Sequence, residues 1–256
     1  GAEALRAARL TVRSGRIVVL VCAMPFKCPA APYEAAMLLE SDCRKRRVRD
    51  DVTLDLYTPE PGPMPVAGPE VSRQVRQMVE SRGIGVHPGH MVKQVDPQTR
   101  SIEFADGTKA GFDLLVYIPP HRAPKVVRDA ELTGELGWVS VDSGTLETRI
   151  PGVYAVGDVT GIMLAMGKPL PKAGVFAHAE AEVVANNITH AVTGRGKPTT
   201  YDGHGECFIE IGDGRAGYGR GNFFAKPTPQ VRLWMPSRRL HLGKVAYEKL
   251  WLFRWF

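Results

Sequence analysis

The sequence predicts an α/β fold organised on a parallel sheet, and three observations lead there. Residues 17–22 (IVVLVC) form an unbroken β-branched run, the pattern of a strand buried on both faces. A helical stretch over 32–42 and an alternating strand over 52–57 follow it, so strand, helix and strand make a βαβ unit. A second buried run over 112–118 and an alanine-rich helical stretch over 173–190 continue the alternation. With 256 residues, 44% hydrophobic and 23% charged, the chain is long enough for two compact units.

Taken in order, residues 3–13 read as the end of a helix capped by Gly15. After the first strand, the 32–42 helix turns Ala35, Met37, Leu38 and Leu39 toward a core. The 52–57 strand stops at the proline-rich segment 59–69. A helix over 70–83 carries Val71, Val75 and Met78 on one face, and strands follow at 84–87, 91–95 and 101–104. Asp106-Gly107 is a turn signal, and Pro119-Pro120 ends the 112–118 strand because proline cannot continue a ladder. Further strands are expected at 137–142 and 153–157. The 173–190 helix is expected to bury Val175, Ala179, Val183 and Ile188. Residues 194–198 read as a linker, and the last sixty residues alternate short strands (207–211, 231–235) with turns before an aromatic tail.

The formal charge of +6 is spread along the chain, except for Arg44, Lys45, Arg46, Arg47 and Arg49. That run reads as the solvated end of a helix, where cations suit the dipole. No nucleic-acid motif surrounds it, so a nucleic-acid partner is not expected; the charge suits weak attraction to anionic lipid. Four cysteines, Cys22, Cys28, Cys43 and Cys207, have no zinc-ligand spacing and are too few for a disulfide scaffold, so no metal is expected. Cys22 lies in the first strand and Cys43 near the basic run, which suggests packing for one and a surface position for the other. Neither a signal peptide nor a membrane span is evident. The expectation is a cytoplasmic protein held peripherally against a membrane.

Three segments carry chemistry. Residues 148–158 (TRIPGVYAVGD) run an apolar strand into Gly157-Asp158, placing a carboxylate at a strand's C-terminal end, where open α/β sheets bind ligands. Gly157 lets a cofactor approach the backbone, and Asp158 accepts hydrogen bonds from sugar or ribityl hydroxyls. Pro171-Lys172-Ala173-Gly174 opens the long helix, whose N-terminus stabilises an anion; Lys172 also has a plain reading as a surface lysine. Residues 25–34 (PFKCPAAPYE) place Cys28 between a buried strand and a helix, while 201–207 (YDGHGEC) lead Cys207 into another strand. Lys27 and the adjoining helix N-terminus are expected to lower the pKa of Cys28. Glu34 is a proton carrier if it faces the site and a solvated residue otherwise. Both thiols also have a reading as inert packing.

The turn after the first strand, residues 23–28 (AMPFKC), lacks the Gly-x-Gly-x-x-Gly that admits a pyrophosphate, which argues against NAD as donor. The tail over 242–256 (LGKVAYEKLWLFRWF) is intensely aromatic. Trp251 and Trp255 beside cations suit a membrane interface; packing on the body or in a dimer is the other reading.

The 148–158 run resembles the second flavin-binding signature of the pyridine-nucleotide disulfide oxidoreductases. The two cysteine segments resemble the active-site motifs of sulfide:quinone oxidoreductases and flavocytochrome c sulfide dehydrogenases, and the likeness spans most of 15–256. It implies a tandem Rossmann-like, FAD/NAD(P)-binding architecture that is N-terminally incomplete, because the first FAD fingerprint is absent, with a C-terminal membrane-facing segment. On this basis 1–14 end a flavin-domain helix and 15–125 form the NAD(P)-like unit with the first active-site cysteine. Residues 126–195 are the rear of the flavin domain, and 196–256 carry the second cysteine and the tail.

The resemblance further implies FAD as cofactor, held by Gly157, Asp158, Lys172, Ala173 and Gly174, with Lys172 adding positive charge at the flavin pyrimidine edge. Cys28 and Cys207 handle sulfide or a related sulfur compound: thiolate attack opens a sulfur–sulfur bond, leaving a persulfide on one cysteine and a nucleophile on the other. Electrons pass to a quinone, along a path that Phe223 and Phe224 line unless they are core. Partners are sulfide, quinone and a membrane surface, with a homo-oligomer left open. The alternatives are a flavocytochrome-type subunit serving a haem partner, an NADH:quinone oxidoreductase, or, in another class, a non-catalytic binding or scaffold remnant.

Overall fold

The computed structural model describes residues 1–256. Helix α1 (Ala2–Thr11) leads into β1 (Gly15–Val21), α2 (Ala31–Lys45) and β2 (Val52–Tyr57), which realise the expected βαβ unit. Gly15 opens β1 instead of capping α1, because the chain is already extended from Val12. Helix α3 (Pro69–Glu80) returns the chain to β3 (Gly85–His87). Strands β4 (Val92–Asp96), β5 (Ser101–Phe104) and β6 (Lys109–Gly111) follow, then β7 (Leu114–Ile118) and the short α4 (Lys125–Asp129). A parallel sheet of order β3-β2-β1-β7 results.

The β1 run is apolar throughout because both of its faces are covered. Ile17 and Val19 face a core shared with α2 and α3; Val18 and Leu20 face Ile102, Phe104 and Ala110 of the antiparallel sheet β4-β5-β6. On α2 the inner face is Tyr33, Ala36, Met37 and Glu40, while Leu38 points outward.

Helix α5 (Gly174–Thr193) covers a second core of Leu146, Ile162, Leu164, Leu170, Phe176, Val183 and Tyr201. Its buried stripe is Phe176, Glu180 and Val183, with Ile188 exposed, so the inner face carries a carboxylate. The strands expected at 137–142 and 153–157 do not form: Val139, Val141 and Tyr154 make only isolated bridges. A strand needs a neighbour along its length to satisfy alternate N–H and C=O groups, and here each segment meets its neighbours only at single positions.

The C-terminal region is a meander of β8 (His204–Gly212), β9 (Arg215–Asn222) and β10 (Gln230–Ser237), then α6 (Arg238–Trp255). Ile209, Ile211 and Leu233 pack into the α2–α3 core, so β8 lies against α2. Strand β9 (RAGYGRGN) was unforeseen, since glycine is a poor strand former. Its glycines serve close approach: a Cβ on Gly221 would sit 2.1 Å from the Gln230 carbonyl oxygen.

Two further expectations are corrected. Cys43 is buried at 1% exposure in the α2–α3 core, because α2 extends to Lys45 and turns that position inward. The basic run is only partly a solvated helix end: Lys45 and Arg47 are exposed, while the other three are engaged. Arg44 pairs with Glu40 and Asp213, Arg46 donates to Asp42 and the Val12 carbonyl, and Arg49 donates to three backbone carbonyls.

Candidate active site

Both predicted active-site thiols open onto one cavity of about 500 Å³. Cys28 reaches it from the loop at the C-terminal end of β1, ahead of α2, and Cys207 from β8. The walls are mostly apolar, with Phe26, Met64, Met163 and Phe223 among them, and Lys172 and Ala173 close the side toward α5. The chain thus joins residues 179 positions apart in sequence at one apolar chamber.

Cys28 is fixed by its backbone. Its N–H donates to the Lys172 carbonyl at 2.6 Å, its own carbonyl accepts the Ala31 N–H at 2.9 Å, and its φ of +56° is left-handed. A non-glycine residue in that region is held there by its surroundings. Alongside, the Lys27 N–H donates to His121 Nδ1 at 2.9 Å, tying the cysteine loop to the end of β7. His121 escaped the sequence reading; only its place just beyond a buried strand's end hinted at it.

The electrostatics oppose the expected lowering of the Cys28 pKa. Burial raises it, Glu34 raises it further, and the N–H groups of Ala31 and Ala30 only partly compensate. Lys27 contributes little because its ammonium turns to Asp158, at 3.6 Å. Cys207 is an exposed residue on the cavity wall with dense protein around its sulfur. Burial, then the charges of Cys28 and Glu34, push it up to about 12, with Lys244 opposing. Glu34 is half-buried and its charge is felt by both thiols; its Oε1 accepts the Glu210 N–H at 2.7 Å, and burial raises its pKa.

Both cysteines should accordingly be neutral thiols at physiological pH. Alkylation by iodoacetamide, followed by mass spectrometry, is expected to be slow at neutral pH and to accelerate only above the ordinary thiol range. Rapid labelling at neutral pH would contradict the burial argument.

The Gly157-Asp158 turn stands behind Lys172. Gly157 has φ +73°, and a Cβ there would lie 2.9 Å from that of Ala177 on α5. Lys172 is buried at 5% exposure; its Nζ donates to the carbonyls of Asp158 and Thr160, both at 2.8 Å, and lies 3.6 Å above the Trp138 ring. Burial lowers its pKa to about 8, with Asp158 opposing. Ala173 is the N-cap and Gly174 the first residue of α5, whose N-terminus carries no side-chain cap. Phe223 packs edge-on against Phe176 at 4.9 Å and lines the cavity; Phe224 packs on Tyr201 and Gly203 within the core.

These residues fit the redox end of a flavin. An uncapped helix N-terminus accepts developing negative charge, the half-buried Asp158 carboxylate accepts hydroxyls, and an apolar chamber holds the thiols beside both.

Comparison with known proteins places the chain. It is 26% identical over 211 residues to the mitochondrial sulfide:quinone oxidoreductase of Schizosaccharomyces pombe, covering 79% of this chain and 44% of that protein. It is 26% identical over 254 residues to the sulfide-quinone reductase of Aquifex aeolicus, covering 92% and 57%. The X-ray structure of the Aquifex aeolicus sulfide:quinone oxidoreductase superposes with a TM-score of 0.82 at 22% identity, over 98% of this chain and 60% of that one. The chain spans about half the length of the relatives it matches. The family model described as "Pyridine nucleotide-disulphide oxidoreductase" matches residues 33–181, more than half of the chain, and to that family this chain belongs.

Proposed function

We propose that this chain is the sulfur-handling portion of an FAD-dependent oxidoreductase that oxidises sulfide, or a related sulfur compound, and passes electrons to a quinone. The observation that carries the reading is the meeting of Cys28 and Cys207 at one cavity, with Glu34 beside them and the Gly157-Asp158 turn behind it. The similarity to sulfide:quinone oxidoreductases supports the same assignment.

From the Cys28–Cys207 disulfide, hydrosulfide attack breaks the sulfur–sulfur bond and forms a new one. One cysteine becomes a persulfide and the other leaves as a thiolate. A second sulfide removes the outer sulfur, leaving a dithiol. Re-forming the disulfide releases two electrons and two protons, and Glu34, half-buried and close enough for its charge to act on both sulfurs, is the candidate proton carrier. FAD, when bound, supplies the two-electron acceptor and the route onward to quinone. Asp158, Lys172, Ala173 and Gly174 would hold it, on a turn that Gly157 lets lie flat against α5.

On this reading 15–125 form the nicotinamide-type unit, 126–195 the rear of the flavin unit, and 196–256 the segment with Cys207 and the tail. In the nicotinamide-type unit, Pro25 and buried Phe26 occupy the turn that would otherwise cradle a pyrophosphate. Phe223 lines the quinone's approach. Helix α6 leaves Leu242, Leu250, Phe253 and Phe256 exposed, at 89% and 93% for the two phenylalanines, which suits peripheral membrane contact. No helix is long and apolar enough to cross a membrane.

The decisive test is anaerobic titration of the flavin-loaded protein with sulfide. Bleaching of the yellow flavin absorbance, abolished by Cys28→Ser, is expected. Flavin that stays oxidised in excess sulfide rules the reading out.

A further inference from the structure

The reaction above makes no use of Glu180, a carboxylate 1% exposed on the inner face of α5. A charge that deep requires donors. Its Oε2 accepts the Gly157 N–H at 2.5 Å. The carbonyl side of the same turn meets Lys172, which donates to Asp158 and Thr160 at 2.8 Å each. Ala177, on the same helix as Glu180, blocks any side chain at residue 157, so Gly157 lies flat on α5. The N–H of one tight turn and two of its carbonyls each face a buried group of matching charge.

We propose that Glu180 is a positioning residue: through the Gly157 N–H it sets the turn that aims the Asp158 carboxylate at the flavin, and its charge state sets how tightly FAD is held. The proposal rests on the flavin reading above. Four groups face Glu180: the Gly157 N–H, Lys172, Asp158, and Tyr201, whose buried hydroxyl has no partner. Burial pushes Glu180 up to about 7, while the Gly157 N–H and Lys172 favour the charged form. Below that pH the neutral carboxyl holds the amide weakly; above it the carboxylate holds it strongly, because charge-assisted hydrogen bonds are the stronger kind. FAD affinity therefore rises with pH through neutrality. By linkage, bound FAD lowers the midpoint of Glu180.

Two measurements test this. The Gly157 amide resonance in ¹⁵N-labelled apoprotein is expected to titrate near neutrality, and the titration should vanish in Glu180→Gln. FAD release, followed by flavin fluorescence, should become roughly tenfold easier in Glu180→Ala, the scale of one charge-assisted hydrogen bond. In Glu180→Gln, whose amide oxygen still accepts, affinity should stay within about threefold of the parent and lose its pH dependence. A Gly157 resonance flat across neutral pH overturns the proposal, and that measurement needs no variant to fold. So does Glu180→Ala holding FAD as the parent does. If the parent protein binds no FAD while Gly157 still titrates, the flavin reading fails and the coupling of Glu180 to the turn stands.

Discussion

Sulfide-driven flavin reduction is expected to fall by on the order of 10³-fold or more in Cys207→Ser, with FAD content unchanged, because nucleophiles that act as a unit fail together when one is removed. Serine keeps the approximate size and fills the same place on β8 opposite Gly219, so the cavity should persist. On the proposed cycle, what disappears is the sulfur that closes a disulfide with Cys28. The hydroxyl cannot form that bond, so no electron pair is released. Cys28→Ser should match the loss, and the double variant should be no worse than either single one, the signature of a shared step. Cys22→Ser is the control: it packs against the core between the two sheets, away from the cavity. Rapid-mixing absorbance spectroscopy under anaerobic conditions reads all four proteins. A Cys207→Ser protein reduced at the parent's rate would remove Cys207 from the chemistry.

Glu40→Ala should destabilise the fold by about 3 kcal/mol, at the lower end of the cost of stripping a partner from a buried ion pair. Glu40 is 2% exposed, and its carboxylate is shared by Arg44 at 2.6 Å, Arg82 at 2.6 Å and Arg49 at 3.6 Å. Arg44 and Arg82 also reach Asp213 in the β8–β9 turn. Burial works against ionisation of Asp213, yet hydrogen bonds from Arg44 and Ser41 hold its pKa down to about 2. One carboxylate on α2 therefore ties that helix to the end of α3 and indirectly to the hairpin that carries Cys207. Arg82 and Arg49 are mostly covered and would lose their counter-charge in place; Arg44, nearly half exposed, regains water and moderates the loss. Thermal denaturation should show a drop of roughly 6 °C for a chain of this size. An unchanged midpoint would mean that the arginines rehydrate freely.

Much of the fold was legible in the residues. β2 falls on the expected 52–57, and the buried character of β1 predicted its coverage on both faces. Where the reading failed, the deciding partner was far away in sequence. The glycines of β9 look like turn formers until the β10 backbone lies against them. The arginine run looks solvated because Asp213, its partner, comes 169 residues after Arg44. Glu180 draws no notice in the sequence because its donor is a backbone N–H on another segment, and Cys43 looks incidental until α2 turns it inward.

The active-site reading divides along the same line. Short motifs, read through their family resemblance, singled out Cys28, Cys207 and Gly157-Asp158 as candidates, although the strand expected to lead into Gly157 does not form. Periodicity, likewise, is a property of adjacent positions, so helices and strands could be read from it. Only the tertiary structure decided that the two thiols share a cavity, that burial and Glu34 raise their pKa where Lys27 was expected to lower it, and that Lys172 spends its charge on the turn carbonyls. Desolvation and charge coupling act through space, and the atoms that set them come from segments that meet only when the chain is folded.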